Sequence, residues 1–269
     1  MLYSFTAAHF MGCIALIWDF HLAQAINTAR NGFFQLGSSL IFDHINTFRQ
    51  MHKSSEPSIL YFGTPVVLIS SENENGTYNL APISSAFWLG WRCIIGIGSN
   101  TKTAQNLNRK KECVINLPSI NEAGIVNRLA MLTGCDPVPA RKLEKGYRYE
   151  PNKFEIAGAT PMESDIVSIP GVKECPVQLE AIVSAINPIG EDEVALKNRI
   201  VSIELKILKI RLEENILMDD DPNHVDPDKW RPLIMSFQQF YGLGNQVHPS
   251  ALAQIPEHLY RQSAHPESN

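Results

Sequence analysis

A stretch rich in glycine and hydroxyl side chains, Gly96–Thr103, holds the residues best suited to binding an anion. It follows an apolar segment and opens into Ala104–Lys111, whose composition predicts a helix. Free N–H groups and the positive end of the helix dipole favour an anion at such a start. Lys102 is unfavourable in the first turn of an unliganded helix, whereas a bound phosphate would neutralise it, with Thr101 and Thr103 adding hydroxyl donors. An ordinary capped helix with an exposed lysine explains the same residues, so both interpretations stay open.

The same stretch does not fit a dinucleotide-binding loop. Such a loop needs a third glycine, and Thr101 stands at that position. It also needs strand-helix-strand repetition with parallel strands, which the rest of the chain does not predict. A Rossmann-type site is therefore excluded.

A second unusual segment is Asn79–Ser85, which is strand-like but carries polar residues on both faces. Pro82 cannot donate to a strand ladder, so the segment is predicted to lie at a sheet edge or to be irregular. Small residues at an edge let a flat ligand approach the backbone closely. An edge strand with local Asn and Ser turns explains the pattern equally well.

The elements that must position these segments are mostly strands. Alternation and β-branched residues predict strands over 64–70, 77–87, 91–98, 113–117, 176–187, 199–212 and 233–235. Asn75-Gly76 predicts a hairpin turn. Helices are expected over 104–111, with Ser99 or Asn100 as N-cap, and over 121–132, while 134–170 reads as loop. Strand following strand predicts a mainly β fold, an antiparallel barrel with inserted helices, and not a doubly wound sheet.

Composition narrows the class of protein. The 269 residues hold 23 Lys and Arg against 28 Asp and Glu, a net charge of −5 that argues against a nucleic-acid partner. The five cysteines are widely spaced, with no CxxC and no His pair at metal-ligand spacing. We therefore expect reduced thiols, a cytoplasmic location and no metal site.

The first fifty residues differ from the rest and leave three alternatives open. Residues 10–18 are apolar, but no Lys or Arg precedes Arg30, and the run is short for a membrane span. Residues 1–50 are an extra helix on the core, a weak membrane or targeting segment, or a translated leader upstream of Met51. We favour the leader slightly, and we expect no membrane role. The expected domain covers 51–245 and a C-terminal tail covers 246–269.

Taken in order, these segments resemble the flavin reductase-like proteins with an FMN-binding split barrel. The resemblance rests on Thr64–Val67, Asn75-Gly76, Asn79–Ser85, Gly98–Leu107, Cys113–Leu117, Pro232–Ile234 and Tyr241–Leu243, and covers about residues 60–243. It implies an antiparallel Greek-key split barrel with inserted helices, and a homodimer with FMN near the subunit interface. Carried over to this sequence, the residues lining the isoalloxazine would be Asn79, Ala81, Pro82, Ser84 and Ser85. Those holding the phosphate and ribityl chain would be Ser99, Thr101, Lys102, Thr103 and Asn106.

The resemblance also implies an activity, the transfer of hydride from NAD(P)H to flavin, with an oxygenase or another electron acceptor as partner. No catalytic acid or base is assigned, because the cofactor carries this chemistry. The Asp-His pair common in short reductases of the family is missing near Val201–Glu204, and the insertion 134–170 is long. The alternatives are a non-catalytic flavin-binding or electron-carrier protein, and a barrel that has lost flavin and serves as an interaction module.

Overall fold

The computed structural model describes residues 52–219 and 221–260. The strands there are, in chain order, β1 Phe62–Pro65, β2 Val67–Glu72, β3 Tyr78–Ile83, β4 Ala86–Leu89, β5 Arg92–Gly98, β6 Glu112–Leu117, β7 Leu132–Thr133, β8 Arg148–Tyr149, β9 Pro161–Met162, β10 Gly171–Val172, β11 Val177–Ile189, β12 Ile200–Leu212, β13 Leu217–Met218, β14 Asp221–Val225, β15 Ile234–Ser236 and β16 Gln239–Tyr241. The helices are α1 Lys102–Lys110, α2 Ala123–Leu129, α3 Ala140–Leu143 and α4 Lys153–Ala157, with 3-10 turns at Ile120–Glu122, Glu214–Ile216, Ala251–Gln254 and Glu257–Tyr260.

The chain divides after Ser58, and all of these strands and helices belong to the unit that starts at Ile59. The expected N-terminal extension, residues 1–50, lies outside the described residues, and the expected boundary at Met51 stays a prediction. No helix within 52–219 and 221–260 is long and apolar enough to cross a membrane.

A seven-stranded sheet in the order β3-β2-β6-β11-β12-β5-β4 forms the barrel. Every neighbouring pair in it is antiparallel. β3 and β4 stand at the two ends of this order and are joined directly through Ser84 and Ser85. This is the mainly β, antiparallel split barrel with inserted helices that the sequence predicts, and Pro82 lies on an end strand as expected.

The apolar run that predicts β2 is buried on both faces. Val67 and Ile69 point into the barrel core, where Ile115, Leu205 and the α1 residue Leu107 also pack. On the other side of the sheet, a second apolar cluster is built by Val66, Leu68, Leu80, Ile125, Val126, Leu129 and Phe154. Burying a side chain of this size contributes about 1.5–3 kcal/mol. The second cluster therefore fixes α2 and α4 against the outer face of β2 and β3.

The turn after β2 confirms the hairpin prediction. Asn73 N donates to Thr77 O at 2.7 Å, and Gly76 has φ of +80°, which glycine adopts without strain. The insertion 134–170 differs from the loop that was expected, because it contains α3, α4 and short strands. Phe154, Ala157 and Ala159 bury their side chains in the second cluster, and this packing orders the insertion.

Two helix boundaries differ from the expectation. The N-cap of α1 is Thr101, whose hydroxyl accepts a hydrogen bond from Ala104 N at 3.3 Å, and not Ser99 or Asn100. Ser99 is unavailable because its hydroxyl donates to Asn198 O at 2.6 Å. The helix expected over 121–132 begins as a 3-10 turn and ends at Leu129, because β7 pairs with β8 immediately afterwards.

Candidate functional site

The start of α1 brings together backbone amides, hydroxyls and a lysine that can donate hydrogen bonds. Gly98 ends β5, and Thr101 N donates to Gly98 O at 3.1 Å, which turns the chain into the helix. The Thr101 hydroxyl accepts from the amide of Ala104. The amides of Lys102 and Thr103 lie in the first turn, so they have no carbonyl acceptor within the helix itself. At the other end, Arg109 and Lys110 occupy the last turn, as the sequence predicts. The helix thus presents its positive end beside the barrel edge.

The charge of Lys102 has a partner in the protein. Lys102 Nζ lies 3.2 Å from Glu74 Oε2, and the Lys102 side chain is mostly buried whereas that of Glu74 is 57% exposed. The pKa of Glu74 is lowered by a hydrogen bond from its own backbone and by the hydrogen bond from Lys102. Glu74 therefore neutralises the charge of Lys102, a role that the sequence suggests for a bound phosphate.

A buried polar network lies beneath the helix. Asn79 Nδ2 donates to Thr103 Oγ1 at 3.1 Å. Asn106 Nδ2 donates to Ser71 Oγ at 3.1 Å and to Asn73 Oδ1 at 2.9 Å. The side chain of Asn106 is fully buried, so in this structure it fastens α1 to the β2–β3 hairpin.

Two acceptors of this network are left without partners. Asn79 Oδ1 and Asn106 Oδ1 are both buried, and no described residue donates a hydrogen bond to either. A buried acceptor left without a donor costs about 1–3 kcal/mol. Asn79 also borders a small cavity, but its Oδ1 itself is buried and lies against Gly134.

That cavity has a volume of about 220 Å³ and lies between the β2–β3 hairpin, the start of α1 and the insertion. Its lining includes Asn79, Lys102, Gly134, Tyr149 and Glu150. Gly134 is required there, because a Cβ at that position would lie 2.9 Å from Asn79 Oδ1 and 3.0 Å from Lys102 Cγ. The glycine lets the insertion close directly over the helix start.

The segment after Asn79 forms a small-residue edge. Ala81, Pro82, Ser84 and Ser85 are all half-buried. Ser85 O accepts from Gly96 N at 2.8 Å, and a Cβ on Gly96 would lie 3.3 Å from Ser85 Cβ. β5, the strand that leads into α1, therefore contacts the small-residue edge.

An exposed apolar surface adjoins this edge, and we call it the aromatic face. Tyr61 OH lies 3.4 Å from Ser85 Oγ, which links β1 to the small-residue edge. The face contains Phe62, Phe87, Leu89, Trp91 and Phe237, each between 43% and 71% exposed. The Phe62 and Phe237 rings stack edge-to-face with centroids 4.7 Å apart.

A second and larger cavity, of about 1130 Å³, opens at the opposite strand ends from α1. Trp88, Trp91, Leu117, Val177 and Trp230 are among its lining residues. Trp88 packs against the barrel core, and its Nε1 is buried with no acceptor among the described residues.

The described residues offer neither a metal site nor a reactive thiol. Within it, no group of three or more His, Cys, Asp and Glu side chains could hold a metal ion. Cys93, Cys113, Cys135 and Cys175 are buried and unpaired. Burial raises the pKa of Cys93 to about 12, which keeps this thiol protonated and unreactive.

The structure thus gathers the sequence-predicted residues into two adjoining groups. Asn79, Lys102, Thr103 and Asn106 meet around the helix start, and Ala81, Pro82, Ser84 and Ser85 form the edge beside it. Ser99 and Thr101 lie at the entry to α1, and their hydroxyls donate to Asn198 O and Gly98 O. Their ligand roles stay predictions. Ser71, Glu74 and Gly134 also belong to this region and are not among the residues predicted from the sequence. Of the three, only Gly134 has a local signal, since Thr133-Gly134 follows the predicted helix.

Known proteins resemble this chain along most of the described fold. The flavin reductase like domain family matches residues 59–241. The uncharacterized protein YdfE of Bacillus subtilis (strain 168) is 40% identical over 196 residues, which span 72% of this chain and 91% of that protein.

Solved structures share the fold at low identity. Flavoredoxin of Desulfovibrio vulgaris (Miyazaki F) superposes with a TM-score of 0.60 at 19% identity, covering 76% of this chain and 99% of that one. Nitrilotriacetate monooxygenase component B from Bacillus cereus superposes with a TM-score of 0.59 at 18% identity, covering 74% and 100%.

Proposed function

The chain belongs to the flavin reductase-like family, and we propose that it is an FMN-binding oxidoreductase in which hydride passes from NAD(P)H to the flavin. The observation that carries this proposal is the contact between the two predicted groups of residues. The positive end of α1 lies beside a flat edge of small residues, joined through Asn79 and Ser85. Such a pair suits a ligand with an anionic end and a flat ring.

The donor set fits the polar half of FMN. The Lys102 and Thr103 amides supply donors for a phosphate, and Asn79 borders the cavity beside them. In the proposal Lys102 pairs with the phosphate in place of Glu74. Asn106, being fully buried, holds the helix in position and does not touch the ligand.

The flat half of the ligand is assigned to the small-residue edge. Ala81 and Pro82 lie on an end strand of the sheet, Ser84 and Ser85 lie in the connection that follows, and all four are half-buried with small side chains. Bound flavin supplies two-electron redox chemistry, and the chain's part is to orient the ring and exclude water from one face. No acid or base on the chain is needed for that task.

The proposal includes a homodimer formed through the aromatic face. This face exposes Phe62, Phe87 and Leu89 to solvent, and aromatic side chains concentrated on one surface are typical of subunit interfaces. The contact between Tyr61 OH and Ser85 Oγ supports an interface next to the assigned ring site.

The electron acceptor is proposed to be a separate protein. One structural neighbour is a component of a monooxygenase and another is a flavoredoxin, so an oxygenase and an electron-transfer protein are both candidates. The four cysteines among the described residues are buried and unpaired, which suits a reducing compartment such as the cytoplasm.

The deciding experiment is an FMN titration of the full-length chain followed by flavin fluorescence. We expect saturable quenching near one FMN per chain, and then FMN-dependent oxidation of NADH or NADPH. Tight FMN binding with slow oxidation of both nucleotides would replace the reductase with an electron carrier. No binding by folded protein would overturn both.

A further inference from the structure

A buried polar layer lies where the barrel core meets α1. Val67 and Ile69 of β2 pack in the apolar core, and strand alternation places Ser71 next on the same face. Ser71 and Asn79 are directly opposite each other on the paired strands β2 and β3. Ser71 is fully buried and Asn79 almost fully buried, so polar side chains occupy a position where a core ordinarily places apolar ones.

α1 adds two residues to this layer, three positions apart on one face of the helix. Thr103 and Asn106 are also buried. Asn79 Nδ2 donates to Thr103 Oγ1 at 3.1 Å, which ties β3 to the first turn of the helix. Ser71 Oγ accepts from Asn106 Nδ2 at 3.1 Å and, at the longer distance of 3.5 Å, from Asn79 Nδ2. Ser71 is therefore the shared acceptor of the two asparagines that contact α1 or belong to it.

A second serine-asparagine pair lies on the opposite face of β2 and is fully satisfied. Ser70 Oγ accepts from Asn116 Nδ2 at 3.0 Å, and Asn116 Oδ1 accepts from Val172 N at 2.7 Å. Under α1, by contrast, Asn79 Oδ1 and Asn106 Oδ1 have no donor among the described residues. An unpaired buried acceptor lowers stability, and proteins keep such groups mainly where function requires them. The two faces of β2 therefore differ in kind, and the layer under α1 is the one with a functional signature.

We propose that Ser71 is a positioning residue for ligand binding at the start of α1. Its fully buried side chain does not touch the ligand. It acts through Asn79, whose amide holds Thr103, so that the free amides of Lys102 and Thr103 keep the position that a phosphate needs. The inference rests on the proposed function, because it takes the flavin phosphate as the ligand of this turn.

Ser71→Ala removes the shared acceptor and leaves neither asparagine amide unpaired. Asn106 Nδ2 keeps Asn73 Oδ1 as its acceptor at 2.9 Å, and Asn79 Nδ2 keeps Thr103 Oγ1. The variant is therefore expected to fold, with the first turn of α1 held less firmly.

Ser70→Ala is the matched control on the other face of the same strand. It also removes one acceptor of a buried asparagine, and Asn116 Nδ2 keeps Leu68 O at 3.0 Å. Both variants should lose a similar unfolding free energy in urea denaturation, since each loses a buried hydrogen bond. A difference between them in ligand binding then reports the position of α1 and not the stability of the fold.

Titrations of the full-length chain with FMN and with riboflavin test the proposal, because the two ligands differ only in the phosphate. For Ser71→Ala we expect FMN affinity to fall about three- to tenfold while riboflavin affinity stays unchanged, which lowers the ratio of the two affinities. Ser70→Ala should keep the wild-type ratio. If the wild type binds FMN and Ser71→Ala has the same ratio, the positioning role is overturned and the flavin proposal stands. A ratio lowered equally in both variants would also overturn the role of Ser71.

Hydrogen exchange of the unliganded chain separates this inference from the function on which it rests. The amide of Gln105 donates to Thr101 O at 3.0 Å and closes the first turn of α1. It should exchange about three- to tenfold faster in Ser71→Ala than in Ser70→Ala. If the wild-type chain binds no FMN but this difference is found, the flavin proposal fails and the positioning of α1 by Ser71 stands. Equal exchange in the two variants of such a chain would overturn both.

Discussion

Lys102 Nζ lies 3.2 Å from Glu74 Oε2, so the lysine that is proposed to bind a ligand phosphate is already paired with a carboxylate of the β2–β3 hairpin. Glu74→Gln removes the competitor while keeping the shape of the side chain. We expect FMN to bind about two- to fivefold more tightly, since an exposed pair of this kind is weak. Riboflavin binding should not change. Glu72→Gln is the control, because Glu72 pairs with Arg109 and Lys110 at the far end of the helix. Weaker FMN binding by Glu74→Gln would show that Glu74 positions Lys102 instead of competing for it.

Gly134→Ala is expected to disturb the helix start. The added Cβ would meet Asn79 Oδ1 at 2.9 Å, and Asn79 is almost fully buried. Forcing this contact should cost about 1–3 kcal/mol of unfolding free energy, measured by urea denaturation, and weaken FMN binding. Gly244→Ala is the control, since a Cβ there has no atom within 4 Å. Equal stability of the two variants would contradict the close approach.

The Glu180 carboxylate anchors the insertion to the barrel by accepting hydrogen bonds from backbone amides of the insertion. Its carboxylate is 1% exposed and accepts hydrogen bonds from the amides of Asp165, Ile166 and Val167 at 2.6–3.1 Å. Glu180→Gln should lower the unfolding free energy by about 2–3 kcal/mol, because an amide cannot accept on both sides. Hydrogen exchange should speed up at residues 165–167. Asp165→Asn, at an exposed carboxylate that pairs with Lys209 and Arg211, should have little effect.

The pH dependence of stability should reveal Lys153. Its pKa is about 8 in the folded chain and near 10.5 when unfolded, so between these values the unfolded chain binds the proton and the native chain does not. The unfolding free energy attributable to Lys153 therefore rises with pH across that window. Buried thiols such as Cys93 act oppositely above pH 9.

Lys153→Met isolates this contribution. Below pH 8 the variant should be more stable than the wild type, by about 2–3 kcal/mol, and the difference should shrink as pH approaches 10.5. Denaturation of both proteins at several pH values measures it. A difference that does not vary with pH would mean that the pKa of Lys153 is the same in the folded and unfolded chains, which would contradict the lowered pKa.

The aromatic face should control the oligomeric state. Leu89 is 71% exposed in this face, and Leu89→Glu would bury a charge in the proposed dimer. We expect the variant to sediment as a monomer, with the dimer weakened at least about 100-fold. Val194→Glu is the control on the β11–β12 loop, where the side chain is 93% exposed. A wild-type chain that sediments as a monomer would refute the assigned interface.

Local signals accounted for most of the fold. The alternation over 199–212 matches β12, and Asn75-Gly76 lies at the expected hairpin turn, because both features depend on neighbouring residues alone. The sequence predicts Ser99 or Asn100 as the N-cap of α1, and the structure uses Thr101. The reason lies 99 residues away, at Asn198, whose carbonyl accepts from Ser99.

The sequence predicts only part of the site, because some of its contacts join residues that are far apart in the chain. The helix start at Lys102 and Thr103 has a local signature, whereas its partners Glu74 and Gly134 reach it through hairpin and insertion geometry. Nothing near Lys153 in the sequence indicates burial. The residue becomes buried because the neighbouring Phe154 and Ala157 pack against β2 and β3.

Three tryptophans, Trp88, Trp91 and Trp230, line the large cavity at the strand ends opposite α1. These are three of the chain's four tryptophans, so the emission of these three residues is an intrinsic optical probe of that end of the barrel. A flavin absorbs in the range where tryptophan emits, so its arrival at the helix start should quench them by resonance energy transfer without altering their environment. A ligand entering the large cavity should instead shift the emission wavelength. One fluorimeter can thus distinguish occupancy at the two ends of the barrel in the same sample.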